Sequence, residues 1–212
     1  MFRISFLLIF ACLASLHYAD GQKHPQFSHI GAGGGVNLAG IRSGLNYDTY
    51  DKNIGLNLGI KGNYSFSDLL SVGSEISFEQ KGAVHEAFDV NTNLSYLSLP
   101  VYIEWTLKEK PRFFIHTGLY GSYLLGARRK GEMRANGQYV AVNESVSDDF
   151  RNYDAGLIFG GGFMVELNWD FDFFVSIRSS FGLINISANT DSQPRNYHFG
   201  ITAGYIYYIG FR

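Results

Sequence analysis

Between residues 54 and 81 the sequence alternates with period two. Ile54, Leu56, Leu58, Ile60, Tyr64 and Phe66 share one parity, and Asn53, Gly55, Asn57, Gly59, Lys61 and Asn63 occupy the other. After Ser67 and Asp68 the pattern resumes, with Leu70, Val72, Ile76 and Phe78 set against Ser71, Gly73, Glu75, Ser77, Glu79 and Lys81. Such alternation marks a β-strand with two unlike faces. Each run exceeds the roughly 5–6 residues usual in soluble strands. A strand that crosses an outer membrane needs about 9–11 tilted residues, apolar toward lipid and polar toward the lumen. The stretch therefore reads as a hairpin of an outer-membrane β-barrel.

Parity also sets the register of that hairpin. A two-residue loop would oppose Phe66 to Leu69 and mismatch the faces. A three-residue loop over 67–69 opposes Phe66 to Leu70 and keeps them matched. Ile60 then faces Ile76 outside, and Lys61 faces Glu75 inside as an opposite-charge cross-strand pair.

The same alternation recurs at about 30–38, 96–107, 113–125, 154–167, 173–183 and 198–211, which makes eight strands. The polar connections over 39–52, 82–93, 127–152 and 187–196 are long, and those over 67–69, 108–112 and 168–170 are short. Long and short alternate, as extracellular loops and periplasmic turns do. The expected fold is all-β: an eight-stranded antiparallel up-and-down transmembrane β-barrel with both termini on the periplasmic side. Outward aromatics gather near strand ends: Tyr64, Phe66, Trp105, Phe113, Phe173 and Phe211 at one side, Phe78, Tyr123, Phe181 and Phe199 at the other. They suit interfacial girdles. Pro100 falls on the inward parity of the fourth strand and predicts a local break in pairing. At the 168–170 turn, matched faces are expected to oppose Leu167 to Phe173, and hence Gly162 to Arg178.

Residues 1–21 read as a signal peptide: Arg3, an apolar run over 4–16, then small residues before Gln22. Residues 22–212 form the expected barrel domain. The one cysteine, Cys12, lies in the signal segment, so the barrel is expected to carry no disulfide. No later run of 18 apolar residues predicts a membrane helix. A net charge of −2 leaves no nucleic-acid footprint.

The run from Glu75 through Phe78, Glu79, Gln80, Lys81 and Gly82, the run from Tyr96 through Leu97, Leu99 and Pro100 to Val101, and Asp154 followed by Ala155 and Gly156 resemble the PorT-like outer-membrane β-barrel proteins of Bacteroidetes-type bacteria. The likeness covers about residues 30–212. It implies an eight-stranded barrel after a signal peptide; it does not imply one function, although the named member serves protein secretion.

Lys61, Glu75, Glu79, Glu104, His116, Glu166 and Arg178 all fall on inward parities. An eight-stranded barrel is narrow enough for inward side chains to fill it, so an open pore is not expected. Many inward glycines beside Phe114, Tyr120, Arg178 and Tyr208 fit that constraint. The expected site is a structural lumen charge network of Lys61, Glu75, Glu79 and Arg178, with a bidentate arginine–carboxylate contact. The alternative is a lipid-modifying outer-membrane enzyme built on His116, or on His198 with Ser180. No catalytic residue, cofactor or metal ligand set stands out, because His and Cys are not clustered. Membrane lipids are the expected partners, with envelope or secretion proteins meeting the long loops. The cluster Arg128, Arg129 and Lys130 can touch anionic head groups or face solvent.

Overall fold

The computed structural model describes residues 28–42, 50–67, 69–85, 90–107, 109–135, 138–188 and 193–209. The expected signal peptide with Cys12, and the strand-end residues Gly210 and Phe211, lie outside these residues. Nine strands are present among those described: β1 (Ser28–Arg42), β2 (Tyr50–Ser65), β3 (Leu70–His85), β4 (Val90–Thr106), β5 (Arg112–Ala135), β6 (Gln138–Ser145), β7 (Tyr153–Glu166), β8 (Phe171–Gly182) and β9 (Arg195–Ile209). Eight of them form the barrel. Each pairs antiparallel with its neighbour, β5 pairs with β7, and β1 pairs with β9 to close the ring.

The outer wall is apolar and the inner wall polar, the inverse of a soluble barrel. Along β2, Ile54, Leu56, Leu58 and Ile60 are 59–73% exposed, whereas Lys61 is 8% exposed. Along β4, Leu97, Leu99, Val101 and Ile103 face outward while Tyr96, Ser98, Tyr102 and Glu104 are buried. In water such a surface would be an aggregation liability; in a bilayer it is the solvated face. Near the short turns the outer wall carries ring pairs: Tyr64 with Phe66 at 5.3 Å, Phe171 with Tyr207 at 5.1 Å, and Phe173 with Tyr205 at 5.7 Å.

The first hairpin has the expected register. Ile60 opposes Ile76, Lys61 opposes Glu75, and the Phe66 amide donates to the Leu70 carbonyl at 2.9 Å across a three-residue loop. The break expected at Pro100 falls on one side only. The β3–β4 ladder pairs Ser74 with Val101 and resumes at Ser77 with Ser98, while β4–β5 pairing runs straight through Pro100. Proline has no N–H to offer the ladder, and the Ser74 hydroxyl donates to the Pro100 carbonyl at 3.1 Å.

Three expectations need correction. The connection expected over 82–93 is mostly strand: β3 continues to His85 and β4 begins at Val90, the two paired to their ends, because the ladder runs past the apolar band where no alternation marks it. The β7–β8 register is shifted by two residues: Val165 opposes Phe173, Leu167 meets Phe171 across the turn, and Gly160, not Gly162, opposes Arg178. Parity is unchanged by a two-residue shift, so face matching cannot tell these registers apart. The 127–152 segment is also more than a loop. Strand β5 runs 24 residues, more than twice the roughly 9–11 needed to cross a bilayer. Its upper part leaves β7 and pairs with β6, from Arg128 opposite Ser145 to Ala135 opposite Gln138. Both faces of this hairpin lie beyond the apolar band, so no hydrophobic period marks it in the sequence.

Candidate functional site

The interior is filled in tiers. At the tier nearest the long-loop end, the wholly buried Lys81 ammonium lies 3.3 Å from Glu79 and 3.4 Å from Asp154. It also sits over the Tyr120 ring at 4.4 Å and the Tyr96 ring at 5.1 Å. Tyr120 Oη donates to Asp154 at 3.1 Å, Asn196 donates to Asp154 at 3.0 Å, and Ser98 donates to Glu79 at 2.8 Å. This tier ties β3, β4, β5, β7 and β9 together around one cation. A buried charge persists only when it is paired and hydrogen-bonded, and Lys81 meets both conditions.

In the middle tier, Arg178 on β8 donates through Nη2 to Glu75 on β3 at 2.6 Å, across the barrel. The contact is single rather than bidentate, and Arg178 Nε has no hydrogen-bond partner among the described residues. Lys61 stands beside Glu75 in the ladder but makes no ion pair with it among the described residues. Its ammonium lies over the rings of Phe174 at 4.1 Å and Phe114 at 5.4 Å, a cation–π setting. Glu104 accepts from Asn63 at 2.9 Å, and Tyr102 donates to the same asparagine at 3.1 Å. Room for the Tyr102 ring comes from Gly73, where a Cβ would lie 2.3 Å from the ring. The space left among Lys61, Glu75, Glu104, His116 and Arg178 is about 20 Å³, enough for one water.

The tier nearest the short turns joins Arg112, Asp172 and Tyr208. Arg112 pairs with Asp172, and Tyr208 Oη donates to the same carboxylate at 2.8 Å. Asp172 is wholly buried. At the opposite end, Leu94, Tyr96, Leu124 and Ala127 on β4 and β5 form an apolar ring. Val146 and Ile186, from the connections after β6 and β8, pack onto it. Backbone bonds from Arg151 to Ile186 at 2.7 Å and from Ala188 to Asp149 at 2.9 Å hold those connections together over the mouth.

The four residues named from sequence thus divide between two tiers. Glu75, Arg178 and Lys61 share the middle one, whereas Glu79 belongs with Lys81 and Asp154. Sequence reasoning left Lys81, Asp154, Arg112 and Asp172 out of the network. Inward parity was legible for Lys81 and Asp154. Asp172 is not legible because it precedes the alternating run, which begins at Phe173.

His198 Nε2 and Ser180 Oγ lie 3.2 Å apart, but both are buried in the lumen. His198 Nδ1 has no hydrogen-bond partner among the described residues, so no carboxylate orients the ring as a serine–histidine pair requires. His116 is packed between Tyr102 and Phe114, at 5.1 and 6.0 Å between ring centres, and neither of its nitrogens has a hydrogen-bond partner among the described residues. No group of three or more metal-ligating side chains occurs among the described residues.

The sequence profile of the family described as outer membrane protein beta-barrel domain matches residues 20–188. Two solved structures share the architecture. Neisserial surface protein A (NspA) is 12% identical, with 87% of this chain and 97% of that chain aligned and a TM-score of 0.51. OprG from Pseudomonas aeruginosa, an outer membrane protein, is 14% identical, with 90% and 100% aligned and a TM-score of 0.50. At such identities the likeness is one of fold. No curated protein matches the sequence.

Proposed function

The chain belongs to the outer membrane protein β-barrel domain family, and we propose that within it the chain is a closed barrel with a structural and partner-binding role rather than a conduit or an enzyme. One observation carries this reading. Three tiers of paired charges cross the lumen, and the middle one leaves space for a single water. Tiers that join facing walls brace a barrel and block a path at the same time. The partner-binding surface is the β5–β6 hairpin and the connections that close the mouth, since these project beyond the apolar band. The PorT-like motifs at Glu75 to Gly82 and Tyr96 to Val101 support a finer reading: a barrel of Bacteroidetes-type bacteria serving protein secretion or envelope integrity, exported by its signal peptide.

The test is electrical. Purified protein reconstituted in planar bilayers is expected to give no steady single-channel conductance, and a reproducible open level would overturn the closed-barrel reading. The enzyme alternative rests on the Ser180–His198 contact. Cells carrying His198→Ala or His116→Ala are expected to keep an unchanged membrane-lipid profile. Loss of a modified lipid species in either variant would establish the enzyme instead.

A further inference from the structure

Where β4 meets β5 toward the long-loop end, β5 holds one extra residue. Tyr96 opposes Leu124, but Ser95 opposes Gly126, so Leu125 is a bulge. A bulge re-aims every side chain beyond it. Below it the odd residues Leu119, Tyr123 and Leu125 face outward. Above it Ala127 is buried in the apolar cap, and the exposed Arg128 and Lys130 take the outer face. Without the bulge, Arg128 and Lys130 would point into the capped mouth.

The three cations in this run have different fates. Arg129 is occupied by Glu144 at 3.1 Å and Asp149 at 3.7 Å. Arg128 and Lys130 have no carboxylate partner among the described residues. They border an open groove of about 590 Å³ whose other walls include Gln80, Asn93, Ser95 and Ser145, and whose lower edge is Leu125. That volume is in the range of ligand pockets. Leu125 is 55% exposed and continues downward into the lipid-facing band of Leu97, Tyr123 and Leu99. The groove is therefore cationic with neutral hydrogen-bonding groups above, and apolar below.

From this we infer that the groove between β4 and the base of the β5–β6 hairpin binds the phosphorylated headgroup of an outer-leaflet lipid, with Arg128 and Lys130 contacting phosphate and the acyl chains lying against Leu125 and Leu97. The long-loop end is the outer one in barrels of this kind, which sets the groove at headgroup level. Two cations with no carboxylate partner among the described residues, set at a lipid headgroup surface, favour an anion, each by about five-fold. An amphiphile fits better than free phosphate because only an amphiphile uses the apolar edge. The inference does not depend on whether the lumen conducts.

Native mass spectrometry of the full protein in neutral detergent tests it, with phosphatidic acid as probe and phosphatidylcholine as reference. Phosphatidic acid is expected to be retained in preference to phosphatidylcholine. The double variant Arg128→Gln with Lys130→Gln is expected to weaken that retention by ten-fold or more. The charge-preserving Arg128→Lys with Lys130→Arg is expected to stay within about two-fold, which separates lost contacts from lost folding. The matched control is Arg42→Gln with Arg195→Gln, a pair that oppose each other on β1 and β9, at the far wall of the same rim. It removes the same charge and is expected to have no effect. Equal retention of both lipids would overturn the inference. So would unchanged retention in the Arg128/Lys130 double variant, an equal loss in the far-wall control, or displacement of the lipid by equimolar inorganic phosphate.

Discussion

Arg178 and Glu75 approach from strands on facing walls and meet at 2.6 Å, with little water available to either. Breaking a buried pair from one side leaves a lone charge and typically costs about 3–5 kcal/mol, whereas replacing both partners costs less. Glu75→Gln and Arg178→Met are therefore each expected to destabilise the barrel more than the double variant does. Denaturant unfolding in micelles measures the cycle. Effects that add within about 0.5 kcal/mol would show that the two residues are uncoupled. Lys81 gives a sharper case, because it has two carboxylates and two rings around it. Lys81→Met leaves Glu79 and Asp154 facing each other without a cation. It is expected to lower the unfolding midpoint more than Lys61→Met, whose ammonium neighbours rings rather than an ion-pair partner.

Among the elements, β8 carries the outward set Phe173, Val175 and Ile177, opposite Val165, Phe163 and Gly161 of β7. Ile177 lies near the middle of the strand and is 45% exposed, so it faces acyl chains. Arginine on the lipid face at the bilayer midplane costs roughly 2–4 kcal/mol. Ile177→Arg is expected to lose that much stability or to fail in assembly, while Ile177→Leu behaves as the parent in heat-modifiable gel mobility. Equal behaviour of the two would reverse the assignment of faces on β8. Strand β5 behaves differently along its length. Its lower half is wall, and its upper half, past the Leu125 bulge, is the stem of a hairpin paired with β6.

At the scale of the whole molecule, the cap and the hairpin lie at one end, and the three-residue turns at 67–69 and 168–170 lie at the other. This asymmetry gives the barrel an orientation. A peptide tag inserted at Gly137, between β5 and β6, is expected to be labelled on intact cells. A tag at Glu109, in the turn before β5, is expected to be labelled only after the outer membrane is opened. The opposite pattern would mean that the hairpin faces the periplasm.

The sequence by itself determined the eight strands of the barrel wall, the lipid-facing set and the first hairpin's register. Each of these depends on a period-two pattern or on opposed charges within one hairpin, both local in the chain. It also marked Lys61, Glu75, Glu79 and Arg178 as inward. Only the tertiary structure decided which inward charges meet. Arg178 and Glu75 are 103 residues apart, and Lys81 and Asp154 are 73 apart, so their contacts depend on how far each strand is staggered around the ring. Stagger in steps of two preserves every face, which is why parity left the β7–β8 register open and the structure placed Gly160 opposite Arg178. The Leu125 bulge was hidden for a related reason. One extra residue reverses parity beyond it, and beyond the apolar band there is no hydrophobic pattern to reveal the reversal.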